Sequence, residues 1–150
     1  MITNKFTHRL TKLLIDIMFY GGILSCVAVP FITPPLTRWL GHPEDMIVRY
    51  IVILVLSGLC AIYILFQLKA IFKTLVGGNP FVHQNVSSLR KCAVASLLIA
   101  LVYFVRIIFW FTIGSAIIVI IFALLGLFAL TLKDVFKQAI AYKEESDWTV

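Results

Sequence analysis

The sequence predicts an all-α membrane protein of four transmembrane helices, paired as two helical hairpins with both termini in the cytoplasm. Three observations lead there. The 150 residues are 61% hydrophobic and 13% charged, against about 45–50% and about 25% in soluble domains. With a mean hydropathy of +1.03, a soluble fold would lack the polar residues to cover its surface. Four stretches approach or exceed the roughly 20 apolar residues that cross about 30 Å of hydrocarbon at about 1.5 Å per residue. Finally, the basic residues gather beside one set of span ends.

The first span is expected over 13–32, after a polar N-terminus carrying Lys5, Arg9 and Lys12, and closes at Pro30, Pro34 and Pro35. The second covers 46–68. A loop at 69–91 holds Gly77-Gly78-Asn79-Pro80, and the third span covers 92–111. Thr112-Ile113-Gly114-Ser115 allows a tight turn into the fourth span at 116–132, and a polar tail occupies 133–150. All of this forms one membrane domain. The first apolar run is long for a signal peptide and lacks the small residue expected two positions before Cys26, so it is expected to be retained.

Orientation follows from the basic residues near span ends. Lys5, Arg9 and Lys12, then Lys69, Lys73, Arg90 and Lys91, then Lys133, Lys137 and Lys143 fall on one side; Arg38, Arg49 and Arg106 fall on the other. Ten against three places the first group inside. Trp39, Tyr50, Trp110 and Phe111 stand where an outer aromatic belt belongs.

An internal match is the most informative feature. Leu68-Lys69-Ala70-Ile71-Phe72-Lys73-Thr74-Leu75-Val76 follows the second span, and Leu132-Lys133-Asp134-Val135-Phe136-Lys137-Gln138-Ala139-Ile140 follows the fourth; four of nine positions are identical. Apolar residues recur at i, i+3, i+4 and i+7, one face of a helix. The second and fourth helices are therefore expected to continue about two turns into the cytoplasm, apolar stripes facing each other or the headgroups. The plainer reading is that any helix leaving a bilayer acquires snorkelling lysines and a fading apolar stripe.

Ionisable groups inside a membrane are the default functional candidates. Asp16 lies near the inner end of the first span and Arg106 near the outer end of the third. Their depths differ by roughly 15 Å, too far for a direct pair. Asp16 is expected to reach Lys12 or interfacial water, and Arg106 to snorkel outward past Trp110. Cys26, Cys60 and Cys92 form no CxxC pair and read as small apolar packers; Cys92, near the inner interface, is open to acylation, but nothing selects it. Three scattered histidines, and no catalytic motif, leave no expected cofactor, metal or enzymatic activity. The dispersed basic residues do not make a nucleic-acid surface. Small residues at three- or four-residue spacing, such as Ser57, Gly58 and Ala61, or Ala123, Gly126 and Ala129, suit close helix packing in a bundle or a homo-oligomer.

The 69–91 loop is the better candidate for recognition. Gly77-Gly78 terminates a helix in left-handed geometry, Asn79-Pro80 makes a turn, and Asn85 is expected to cap the third helix. Phe81 is expected to pack between the two amphipathic extensions, and Glu144, Glu145 and Asp147 to lie on a solvated tail.

The loop Gly78-Asn79-Pro80-Phe81, with Asn85, Leu89-Arg90 and a following apolar span, resembles a bacterial family catalogued as domain of unknown function 2975. The tail Leu132-Lys133-Asp134-Val135-Phe136, then Lys143-Glu144-Glu145-Ser146-Asp147-Trp148-Thr149-Val150, is similar to that family's ending, with Ser146 and Trp148 replacing its commoner Asn and Leu. The resemblance spans nearly the whole chain. It implies a small four-span protein of the bacterial cytoplasmic membrane, commonly encoded beside a small helix-turn-helix regulator, with no known activity.

Sequence detail concentrates on the inner face. The expected function is a regulatory or scaffold protein binding a cytoplasmic partner there, through Asn79, Pro80, Phe81, Asn85, Arg90, Phe72, Phe136, Glu145, Asp147 and Trp148. The alternative is a small transporter or channel component with a pathway between the hairpins, drawing on Asp16, Ser57, Ser96 and Arg106.

Overall fold

A computed structural model describes residues 2–148; Thr149 and Val150, the last two positions of the family-like ending, lie outside them. Four helices account for most of the described chain: α1 (Ile2–Trp39), α2 (Asp45–Val76), α3 (His83–Phe109) and α4 (Ile113–Trp148). All four are long and apolar enough to cross a membrane, and no strand occurs among the described residues.

Each helix overruns its expected span, for reasons of backbone chemistry. α1 does not close at its prolines but runs through Pro30, Pro34 and Pro35 to Trp39. In hydrocarbon no water competes for a broken turn, so the helix stays the least costly way to satisfy the remaining backbone groups. Threonine hydroxyls supply extra bonds in the same turns: Thr33 Oγ1 donates to the Val29 carbonyl at 2.7 Å, and Thr37 Oγ1 to those of Thr33 and Pro34 at 2.6 and 3.0 Å. α1 ends where Gly41 takes a positive φ of 71°. There the His42 amide donates to the Thr37 carbonyl and the Gly41 amide to that of Arg38, the paired bonds of a Schellman cap.

The expected loop at 69–91 shrinks to 77–82, because α3 begins at His83 rather than at Cys92. The expected tail is helical to Trp148, so the acidic residues Glu144, Glu145 and Asp147 sit on a helix.

Packing is serial: α1 meets α2, α2 meets α3 and α3 meets α4, and no other helix pair comes together among the described residues. The repeats on α2 and α4 therefore do not face each other. Within each pair the contacts run in opposite chain directions, as from Phe19 against Phe66 to Gly22 against Ile62, and from Ala93 against Gly126 to Arg106 against Ser115.

α3 lies inside this row and carries most of the buried residues, among them Ala93, Ala95, Ser96, Ile99 and Ala100. Small side chains let helix backbones approach where apolar surroundings supply no hydrophobic drive to associate. Gly126 of α4 is fully committed to that approach: a Cβ there would stand 2.8 Å from the Leu97 side chain and 3.4 Å from the Ala93 carbonyl. Gly58 of α2 makes the equivalent approach to Cys26 of α1, whereas Gly21 has open space around it. Gly126→Val is expected to destabilise the protein by about 1–3 kcal/mol through overpacking, while Gly21→Ala leaves it unchanged or slightly firmer. Thermal unfolding in a mild detergent, followed by circular dichroism, checks both.

Candidate functional site

One end of the row gathers the residues singled out from the sequence. His8 of α1 stands edge-to-face against Phe72 of α2, with ring centroids 6.0 Å apart. Phe81 of the 77–82 loop makes the same kind of contact with Phe136 of α4 at 5.2 Å. Phe72 and Phe136 are equivalent positions of the internal repeat, so the matching sequence is used in matching ways: each phenylalanine receives an aromatic ring from the neighbouring segment. Edge-to-face pairs of this kind contribute about 0.5–1.5 kcal/mol beyond burial.

The loop is fixed from beneath by Asn85. Its amide is fully buried and donates from Nδ2 to Thr74 Oγ1 and to the Pro80 carbonyl, both at 2.6 Å. Thr74 Oγ1 in turn donates to the Ile71 carbonyl at 2.7 Å, extending the chain of bonds into α2. Asn85 is thus not the cap of α3. Val82, in extended conformation and without a side-chain cap bond, holds that position, and its carbonyl accepts from the Asn85 backbone amide at 3.0 Å. The sequence pattern pointed to the right residue because Asn is a loop-fixing type, but which backbone it would fix depends on a contact across to α2. Asn85 Oδ1 is buried without a partner, so the position trades one unsatisfied acceptor for two donated bonds. Of the two glycines, Gly78 has the positive φ, 94°, and Gly77 stays right-handed.

The other candidates at this end are exposed. Asn79 and Arg90 are exposed, Pro80 is half-buried, and Phe81 retains 41% of its surface. Ile140 is the last buried residue of α4, and every residue from 141 to 148 is exposed, including Glu145, Asp147 and Trp148. His83 Nε2 lies 3.4 Å from Glu144 Oε1, an exposed contact joining the start of α3 to the end of α4. No local pattern points to that pairing, since the two residues are 61 positions apart.

Both intramembrane ionisable residues have partners other than those expected. Asp16 pairs with Lys69 of α2 at 3.0 Å rather than with Lys12. The Lys69 ammonium also lies over the rings of Phe19 and Tyr20, at 4.9 and 5.4 Å. Arg106 does not snorkel past Trp110. Its Nη1 donates to Ser115 Oγ at 2.7 Å, and its guanidinium stands 5.4 Å over the Tyr50 ring. Arg106 so ties the turn between α3 and α4 to the start of α2. Cys92 is buried, its Sγ 3.8 Å from the Ile64 carbonyl, whereas Cys26 and Cys60 are half-buried. Among the described residues no three His, Cys, Asp or Glu side chains gather closely enough to hold a metal ion.

Four helices long and apolar enough to cross a membrane are the attribute of a multi-pass helical membrane protein. The chain belongs to the family described as a protein of unknown function (DUF2975), whose sequence model matches residues 27–150. No curated protein and no solved structure matches it.

Removing the Asn85 side chain leaves the Pro80 carbonyl and Thr74 without their donor. Asn85→Ala is expected to cost about 1–3 kcal/mol and to raise hydrogen exchange across 77–82 by about fivefold or more. Asp16→Asn is expected to cost under about 1 kcal/mol, because a half-exposed ion pair contributes little. Exchange measured by mass spectrometry separates the two.

Proposed function

We propose that this is a bacterial inner-membrane protein whose loop end faces the cytoplasm and serves as a regulatory or scaffold platform for a protein partner. In this reading the helices insert as two hairpins with both termini inside. The excess of lysine and arginine at the loop end supports that orientation. The observation that carries the platform is the exposed last stretch of α4: it stays helical beyond the last buried residue, Ile140, and presents Tyr142 and Trp148 with 76% and 90% of their surfaces free. Aromatic side chains on a rigid helix are efficient anchors for a partner, since they bring large contact area at little entropic cost. Phe81 and Arg90 extend the same end, and Glu145 and Asp147 would set its charge preference. A small helix-turn-helix regulator, the neighbour implied by the family resemblance, is the first partner to try.

The transport reading has less support. Asp16 and Arg106 are each engaged by a neighbouring helix, and a row in which α1 and α4 do not meet encloses no passage within one chain.

Two experiments test the platform and its orientation. Affinity capture from membranes is expected to recover a partner with the full-length chain and to lose it when the chain stops after Ile140 or carries Trp148→Ala; identical partner sets would sink the reading. In a background without native cysteines, a membrane-impermeant thiol reagent applied to intact cells is expected to label His42→Cys and spare Asn79→Cys. The reverse pattern would invert the topology.

A further inference from the structure

The contact between α2 and α3 is closed at its loop end and open at the other. Near the loop it is pinned by the Asn85–Thr74 bond and by Cys92 against the Ile64 carbonyl. At the far end no loop joins these two helices, and a cleft of about 680 Å³ lies between them. The next cleft along the same helix pair, nearer the loop, is about 430 Å³. The larger one falls within the roughly 300–1,000 Å³ typical of small-ligand sites. Its walls are apolar, with Val52, Leu101, Val105 and Phe109 among them, and Arg49 and Arg106 both line it.

The charges around this cleft are unbalanced. Arg49 is exposed and has no ion pair or hydrogen bond among the described residues. Arg106 uses one N–H on Ser115 and leaves the others available. Of the acids at this end, Glu44 lies 3.4 Å from Arg38, and Asp45, one turn before Arg49, forms no ion pair with it. Two guanidinium groups beside an apolar slot match a molecule with an anionic head and a long hydrocarbon tail. A second copy of this chain would answer the apolar walls but would bring the same three arginines to the same end. A zwitterionic lipid would bring an amine with only Asp45 to receive it.

We propose that the cleft between α2 and α3 binds an anionic phospholipid of the adjacent leaflet, one acyl chain between the helices and the phosphate against Arg49 and Arg106. This site lies at the opposite end from the proposed platform, so it stands or falls independently of it.

Native mass spectrometry of the full chain, released from mixed micelles of phosphatidylglycerol and phosphatidylethanolamine, reads the preference directly. Wild type is expected to retain one phosphatidylglycerol in preference to phosphatidylethanolamine. Arg49→Gln is expected to reduce that preference about fivefold, the effect of one basic residue near a lipid surface, with phosphatidylethanolamine retention unchanged. Val105→Trp, which narrows the slot without touching charge, is expected to lower retention of both lipids. Lys73→Gln, at the loop end, is expected to change neither. Equal retention of the two lipids by wild type would overturn the proposal. So would an equal loss from Lys73→Gln and Arg49→Gln, which would reduce the effect to net charge, or a dimer that excludes lipid. Arg106→Gln also removes the bond to Ser115, so Arg49→Gln, exposed and unbonded, decides the matter if that variant does not fold.

Discussion

The whole arrangement depends on one joint, the contact between α2 and α3. Because, among the described residues, helices meet only their chain neighbours, the pair α1–α2 and the pair α3–α4 are joined only by this contact and by the 77–82 loop, whose Phe81 packs on Phe136. At its loop end the joint is pinned by buried polar bonds: Asn85 reaches from α3 to Thr74 on α2 and to the Pro80 carbonyl in the loop. In a soluble protein the same two pairs would be driven together by the cost of wetting their apolar faces. Lipid removes that drive, so specific hydrogen bonds and close small-residue contacts must fix the geometry instead. The orphaned Asn85 Oδ1 is consistent with a side chain retained for position rather than for net stability.

The second consequence concerns where small side chains fall. Six of the ten buried positions of α3 are Ala, Ser or Cys, the others being Asn85, Leu89, Ile99 and Tyr103, and α1, flanked on one side, keeps large residues such as Leu24 and Phe31 on its surface. Having two neighbours does not by itself impose this: α2 also has two, yet buries only Gln67. The small-residue face of α3 serves its close approach to α4, where Gly126 meets Leu97 and the Ala93 carbonyl. Gly126 and Gly58 occupy matching roles in the two outer contacts, each receiving a side chain from the partner helix into the space of its missing Cβ.

The existence and approximate position of four helices were legible in the sequence, because hydropathy over about 20 residues is a strong signal. Their ends were not. Proline is a stop signal calibrated on water-exposed helices, where a broken turn can hydrate; in α1 three prolines fail to stop the helix because that alternative is missing. The importance of Asn85 and the likeness of the two repeats could also be read from local pattern. The partners could not. Lys69 with Asp16, Asn85 with Thr74 and Glu144 with His83 each join different helices, and the face a residue presents across a helix pair is set by packing register rather than by sequence spacing. Sequence reasoning gave Asp16 and Arg106 the nearest available outlets, a neighbouring lysine and the membrane surface. The structure instead gives each a partner on another helix, Lys69 for Asp16 and Ser115 for Arg106.

The basic residues show why the net charge of +6 is not one signal. Lys69 is neutralised by Asp16 and sheathed by Phe19 and Tyr20, so it holds α1 to α2 and offers little to anything outside. Arg106 bridges a turn and an aromatic ring. Arg38 is balanced by Glu44. Once these are set aside, the remaining cations divide between two places: the loop end, where Lys12, Lys73, Arg90 and Lys91 are exposed beside the repeats, and Arg49 at the opposite end beside the open cleft. Lysines and an arginine spread over an exposed face act as point charges on any anionic surface, and such an array orients a protein in its membrane. A single unpaired arginine next to a second guanidinium, at the wall of an apolar slot, has a narrower use. Planar forks bind phosphate oxygens with defined geometry, and the slot admits only a ligand with a tail. Under the proposed orientation and the proposed lipid site, the same formal charge sets topology at one end and selectivity at the other, and the distinction lies in what the neighbouring side chains leave free.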